Sequence, residues 1–131
     1  MTRRRAIHLD GIGHSAPIPM AAMINGILFS SGIGGADPLT GVPPDDGTAQ
    51  VGFMFANIDA VLEQAGLGQD DLLKLDIAIE DNQLRAEVNR HWLEWFPDED
   101  DRPARHISVH ALPGRLLAQA QIVAVRGDTD A

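Results

Sequence analysis

Residues 116–125, Leu-Leu-Ala-Gln-Ala-Gln-Ile-Val-Ala-Val, contain no charged side chain. Read as a strand, they put Ala118, Ala120, Ile122 and Ala124 on one face and Leu117, Gln119, Gln121, Val123 and Val125 on the other. A strand with two neutral faces needs cover on both. The chain offers helical periodicity in only two places. From Ala49 onward, Val51, Met54, Phe55, Ile58, Val61 and Leu62 recur at helical spacing until Gly66, a residue suited to the left-handed end of a helix. After Asn82, which suits a helix cap, Leu84, Val88, Trp92, Trp95 and Phe96 form a second apolar stripe. Two helices cover one face of a sheet. The other face is therefore expected to be buried against further copies of the chain, with closed cyclic symmetry as the solution.

The remaining strands follow from alternation and turn chemistry. Residues 6–9 give a short first strand. Residues 20–24 and 27–31 give a hairpin, because Asn25-Gly26 tolerates positive φ at both central turn positions. Loops rich in turn residues follow at 37–41 and 43–47. Leu73, Leu75, Ile77 and Ile79 alternate with Lys74, Asp76, Ala78 and Glu80, as in a strand covered on one side. Residues 106–111 and 116–125 supply the last two strands, giving the order βββαβαββ. The whole of 1–131 reads as a single domain, with 1–5 and 126–131 as frayed tails.

Composition narrows the function. There is no Cys, so disulfides, thiolate nucleophiles and cysteine-based metal centres are excluded. Ten basic against nineteen acidic side chains give a net charge of −9, which opposes binding to nucleic acid or to an anionic membrane. With no apolar run long enough to span a bilayer and no export signal after the basic start, the expectation is a cytoplasmic protein whose partner is a small molecule.

Individual motifs are mostly structural. Gly32-Ile33-Gly34-Gly35 lacks the following helix and the Lys-Ser/Thr ending of a phosphate loop. His106, Ser108 and His110 share a strand face, yet no further ligands are announced, and His14 reads as a loop residue near the site. Ser30 and Ser31 have no nucleophile elbow. The Trp92, Trp95 and Phe96 cluster reads as core, and the acidic run 98–101 as a solvated loop. Arg105 stands apart. It precedes Ile107 and Val109 on one strand face, placing a guanidinium among apolar neighbours, where it needs either a carboxylate from the preceding loop or the carboxylate of a ligand.

Several segments in order resemble the RidA/YjgF family, formerly described as endoribonuclease L-PSP. They are Asn25-Gly26-Ile27-Leu28-Phe29-Ser30-Ser31-Gly32, Asp37-Pro38-Leu39-Thr40-Gly41, the helix from Asn57 to Gly66, Val88-Asn89, Pro103-Ala104-Arg105 and Leu112-Pro113. The resemblance implies an α+β, chorismate-mutase-like fold, with a six-stranded mixed sheet, two helices on one face, and a homotrimer with three intersubunit clefts. It implies enamine/imine deaminase chemistry, in which a reactive 2-imino or enamino acid is hydrolysed to a 2-oxo acid and ammonia without a metal or other cofactor. Arg105 matches the residue that binds the substrate carboxylate, and Ser31, Gly32 and Asn89 match other binding positions.

The departures matter as much. Ile18 stands at the family's pocket tyrosine, Ile107 at a position often occupied by cysteine, and Gln119 at the glutamate that handles water, in the alignment anchored on Leu112-Pro113. One residue fewer separates Arg105 from Pro113 than in the usual pattern. A neutral amide orients water but accepts no proton as a base does. The expected function is therefore a RidA-like deaminase acting through Arg105 and Gln119 on a small carboxylate-bearing metabolite. The alternative is a non-catalytic trimer that binds such a carboxylate. Ribonuclease activity ranks last, because the charge is wrong and no paired acid/base histidines are evident.

Overall fold

Asn25 and Gly26 adopt φ values of 51° and 79°, the pair of left-handed conformations expected for a two-residue hairpin turn. In the computed structural model, which describes residues 3–127, the turn joins β2 (Ala21–Ile24) to β3 (Ile27–Ser30). β1 (Arg5–Ile7) pairs with the free edge of β2. It stops short of the expected residues 8 and 9 because Leu9 bridges back to Ile12 across Gly11, whose φ is 74°.

The first helix, α1 (Gly47–Gln64), starts two residues earlier than the apolar period suggests, because Asp46 caps it by accepting from the Thr48 N–H at 3.1 Å. It ends as expected at Gly66 (φ 73°). There the Gly66 and Leu67 N–H groups donate to the carbonyls of Glu63 and Leu62, closing the last turn. The second helix, α2 (Arg85–Trp95), is preceded by a short 3-10 turn over Asn82–Leu84. Asp81 rather than Asn82 is the capping residue, its carboxylate accepting from the Gln83 N–H at 2.9 Å.

The sheet contains β5 (Leu72–Ile79), β6 (Ala104–Val109) and β7 (Ala118–Val125), and its strand order is β1-β2-β3-β7-β5-β6. β5 and β6 run parallel and the other pairs antiparallel, so the sheet is mixed. A seventh, two-residue strand, β4 (Ile33–Gly34), also pairs with β7, adding one short element to the six expected. β3 leaves β7 at Phe29↔Val123 and β4 rejoins it at Ile33↔Ala120, so Ser30, Ser31 and Gly32 stand opposite only Ile122 and Gln121. This is a bulge. The Ser30 hydroxyl fills the ladder by accepting from the Ile122 N–H at 2.8 Å, which gives it a structural role rather than a nucleophilic one.

Both helices lie over the face that carries Leu28, Leu75, Ile77, Ile79, Ala118, Ala120, Ile122 and Ala124, all buried. The register of β5 departs from simple alternation at one point. A bulge between Leu72 and Lys74 sends Leu72 into the core and leaves Leu73 59% exposed, so Leu73 does not share the face of Leu75. The open face presents Ile27, Phe29 and Val125, with Phe29 62% exposed. It is the uncovered apolar face expected from the charge-free last strand. The tails expected to be frayed lie partly outside the described residues. Within them, Arg5 belongs to β1 and donates to the Gln64 carbonyl, while Arg126 and Gly127 N–H groups donate to Gly26 O and Asp71 Oδ1. No helix among the described residues is long and apolar enough to cross a membrane.

Two buried polar side chains of α1 hold the loops that frame the site. Asn57 Nδ2 donates to the carbonyls of Gly34 and Ala36, at 3.0 and 2.9 Å. Gln50 Nε2 donates to the carbonyls of Pro44 and Arg115, and its Oε1 accepts from the Leu117 N–H. Gln50→Leu keeps the volume but strands three backbone groups, and is expected to lower stability by about 2–4 kcal/mol. Chemical denaturation measures the change, and an unaltered midpoint would show that these bonds are replaced by water.

Candidate functional site

β6 lies at the sheet edge and alternates its side chains across the sheet. Its in-register pairing with β5 sets Arg105 beside Leu75 and Ile107 beside Ile77, on the helix-covered face. His106 and Ser108, beside Asp76 and Ala78, point to the open face. Ile107 packs against the core. The Arg105 guanidinium lies over the Trp92 ring, with Cζ 4.8 Å from the centroid, a cation–π arrangement. Nη1 is buried without a hydrogen-bond partner. Desolvation, and then the nearby Arg85 guanidinium, lower the Arg105 pKa from the ordinary arginine value. Arginine still remains a cation.

The expected carboxylate from the preceding acidic loop does not reach Arg105. Among the described residues it makes no ion pair. The loop is held instead by Arg102, whose Nε donates to the Phe96 carbonyl, and by Asp98, whose carboxylate accepts from the Asp100 N–H. Arg85, Asn89 and Trp92 recur at i, i+4 and i+7 along α2 and so share the helix face that meets Arg105. Arg85 and the contact of Trp92 with Arg105 escape a reading that treats this helix only as an apolar stripe. The spacing from Asn89 to its neighbours is the signal that identifies them.

Gln119 occupies a different place. It lies on the open face of β7, paired with Gly34 on β4 and Ala78 on β5. A methyl group on Gly32 would collide with its amide, so glycine at the bulge is what lets the two approach. Gln119, Gly32 and His14 line one cavity of about 220 Å³, where His14 is the sole titratable side chain and its Nε2 is buried without a partner. Gln119 also borders a second hollow of about 170 Å³ with Asp76, His106, Ser108 and His110. Among the described residues no three His, Asp or Glu side chains are placed to hold a metal ion. Ser31 is half-buried, its N–H donating to the Met20 carbonyl, and Ile18 is 47% exposed in the loop before β2.

Most of the residues singled out by sequence thus fall into two groups, with Ile18 apart in the loop before β2. Arg105, Asn89 and Ile107 belong to the helix-covered side at β6. Ser31 and Gly32 belong to the bulge, and Gln119 lies beside it on the open face of β7. One chain does not bring Arg105 and Gln119 together, because they project from opposite faces of the sheet.

Comparison with known proteins identifies the class to which a chain of this fold belongs. The chain belongs to the endoribonuclease L-PSP family, the RidA/YjgF family, whose family model matches residues 14–126. It is 37% identical over 117 residues to a RutC family protein of Aquifex aeolicus, covering 85% of this chain and 94% of the relative. It is 29% identical over 119 residues to the 2-iminobutanoate/2-iminopropanoate deaminase of Salmonella typhimurium, covering 86% and 93%. Its fold is similar to that of YyfA, a Rid-family protein of unknown function from Yersinia pestis. There the TM-score is 0.83 at 31% identity, covering 94% of this chain and 99% of the other.

Proposed function

We propose that the protein is a homotrimeric enamine/imine deaminase in which Arg105 grips the carboxylate of a small 2-imino acid. The observation that carries this reading is the Arg105 guanidinium itself, over the Trp92 ring with a buried, unpaired Nη1. A planar fork held in this way suits a carboxylate bound by two parallel hydrogen bonds. Family membership and the likeness to a named 2-iminobutanoate/2-iminopropanoate deaminase support the reaction class.

In that reaction water adds to the carbon of the protonated C=N bond and the nitrogen departs as ammonia, leaving a 2-oxo acid. No electron transfer is involved. Asn89 and the Ser31-Gly32 backbone help to orient the substrate, while Ile18 and Ile107 give the cleft apolar walls. Gln119 orients the water, and His14 lines the same cavity. The homotrimer completes the cleft by setting the Arg105 side of one copy against the Gln119 side of the next. The exposed Ile27, Phe29 and Val125 on the open face favour such an assembly.

The test is to generate 2-aminoacrylate in situ and follow pyruvate and ammonia. The expected result is release faster than the spontaneous rate. A rate equal to the spontaneous one overturns the catalytic reading. A second reading, binding of a small carboxylate without turnover, is favoured by one observation, the neutral amide of Gln119 in the cavity beside Gly32, which accepts no proton as a base does. Calorimetric heat with 2-oxo acids alongside a flat deaminase assay selects it.

A further inference from the structure

The loop that carries His14 is held on both sides. Before it, Leu9 bridges to Ile12 across Gly11, and after it the Met20 N–H donates to the Ile7 carbonyl at 3.0 Å. A methyl group on Gly41 would stand 2.6 Å from the Gly11 carbonyl oxygen, so the turn at 37–41 closes directly against this loop. Residues of both segments line the cavity of about 220 Å³ that His14 shares with Gln119. Gly32, Gly34 and Gly41 form part of its wall and put no side chain into the space.

His14 Nε2 is buried there and has no hydrogen-bond partner. A polar atom in that position costs stability until something in the cavity meets it. A single water needs only about 15 Å³ of such space, so the cavity has room for water beside part of a small ligand. Gln119 offers that water hydrogen bonds and no proton transfer. Among the described residues no other titratable side chain lines the cavity, and His14 makes no ion pair. An imidazole is the side chain best suited to take up and return a proton near neutral pH.

Resting on the deaminase reading above, we infer that His14 is the catalytic acid–base residue, acting on the water that Gln119 orients. Water adds to the carbon of the protonated C=N bond while one of its protons passes to the unprotonated Nε2, giving a neutral carbinolamine. His14 then returns that proton to the nitrogen. The C–N bond breaks as C=O forms, and the remaining hydroxyl proton leaves with ammonia as ammonium. Nothing is oxidised or reduced.

The test generates 2-aminoacrylate in situ and follows pyruvate against protein-free controls. His14→Gln is expected to lower kcat about a hundredfold, the scale of a lost general acid–base group, while the calorimetric affinity for 2-oxobutanoate stays unchanged. The variant should also lose the acid limb of the rate profile, since only a neutral imidazole accepts a proton. In His14→Ala, free imidazole is expected to restore turnover in proportion to its concentration, with no such effect on the unaltered protein. Full turnover in His14→Gln overturns the inference, and so does a loss that imidazole fails to restore in a folded His14→Ala that still binds 2-oxobutanoate. A fall in 2-oxobutanoate affinity that matches the fall in rate also overturns it, by making His14 a binding group. The reading beneath is judged by the unaltered protein. If that protein releases pyruvate only at the spontaneous rate, the deaminase reading and this inference both fail; if it is active and indifferent to His14, the proton role alone fails.

Discussion

Arg105→Ala is expected to reduce the affinity for 2-oxo acids about a hundredfold, equivalent to about 3 kcal/mol, the scale of a desolvated charge-assisted pair losing one partner. The loss should be seen in calorimetry and, for turnover of 2-aminoacrylate, in kcat/KM. The size of the effect follows from the surroundings. Nη1 is buried and unpaired, so the protein offers no internal acceptor that competes with a ligand for it. Arg105→Lys is expected to recover little of the loss, because an ammonium does not present the two-pronged face of a guanidinium to a carboxylate. Circular dichroism checks that the variants are folded. Equal ligand affinity in Arg105→Ala and the unaltered protein would remove Arg105 from the site.

Gln119→Glu is expected to raise turnover about tenfold or more, since a positioned general base contributes about a hundredfold or more where it is present. The side chain keeps its length, and its place beside Gly32 in the cavity is compatible with either amide or acid. The change carries its own signature. A glutamate acts as a base only when ionised, so the variant's rate should fall as the pH drops through the carboxylate range, around 4 to 5 for an ordinary glutamate. A rate profile of the two proteins from acid to neutral pH measures this. If Gln119→Glu is no faster and shows no new acid limb, water is handled elsewhere in the cleft.

Much of the architecture is legible in the sequence because local chemistry and tertiary demand agree. Asn25-Gly26, Gly66 and the charge-free run 116–125 each behave as their residue types require. Disagreement arises where one extra residue shifts a register. Leu73 is apolar and in step with Leu75, and only the pairing with β7 shows that a bulge expels it. The bulge at Ser30 to Gly32 is similarly hidden, because it depends on a hydroxyl that replaces a backbone partner. The grouping of the candidate residues is not legible in the sequence. Alternation on β6 and β7 is evident from sequence, but which face α2 covers at the edge strand depends on three-dimensional packing. Trp92 looks like ordinary core until the guanidinium above it is seen.

The separation of Arg105 and Gln119 onto opposite faces also bears on how the chain responds to substitution. Residues that share no packing tend to act independently when they are altered. Within one chain, substitution at Gln119 beside Gly32 is therefore expected to leave the seat of Arg105 on Trp92 undisturbed, and substitution at Arg105 to leave the bulge undisturbed. The sheet acts as a partition between two sides of the chain that fold without reference to each other.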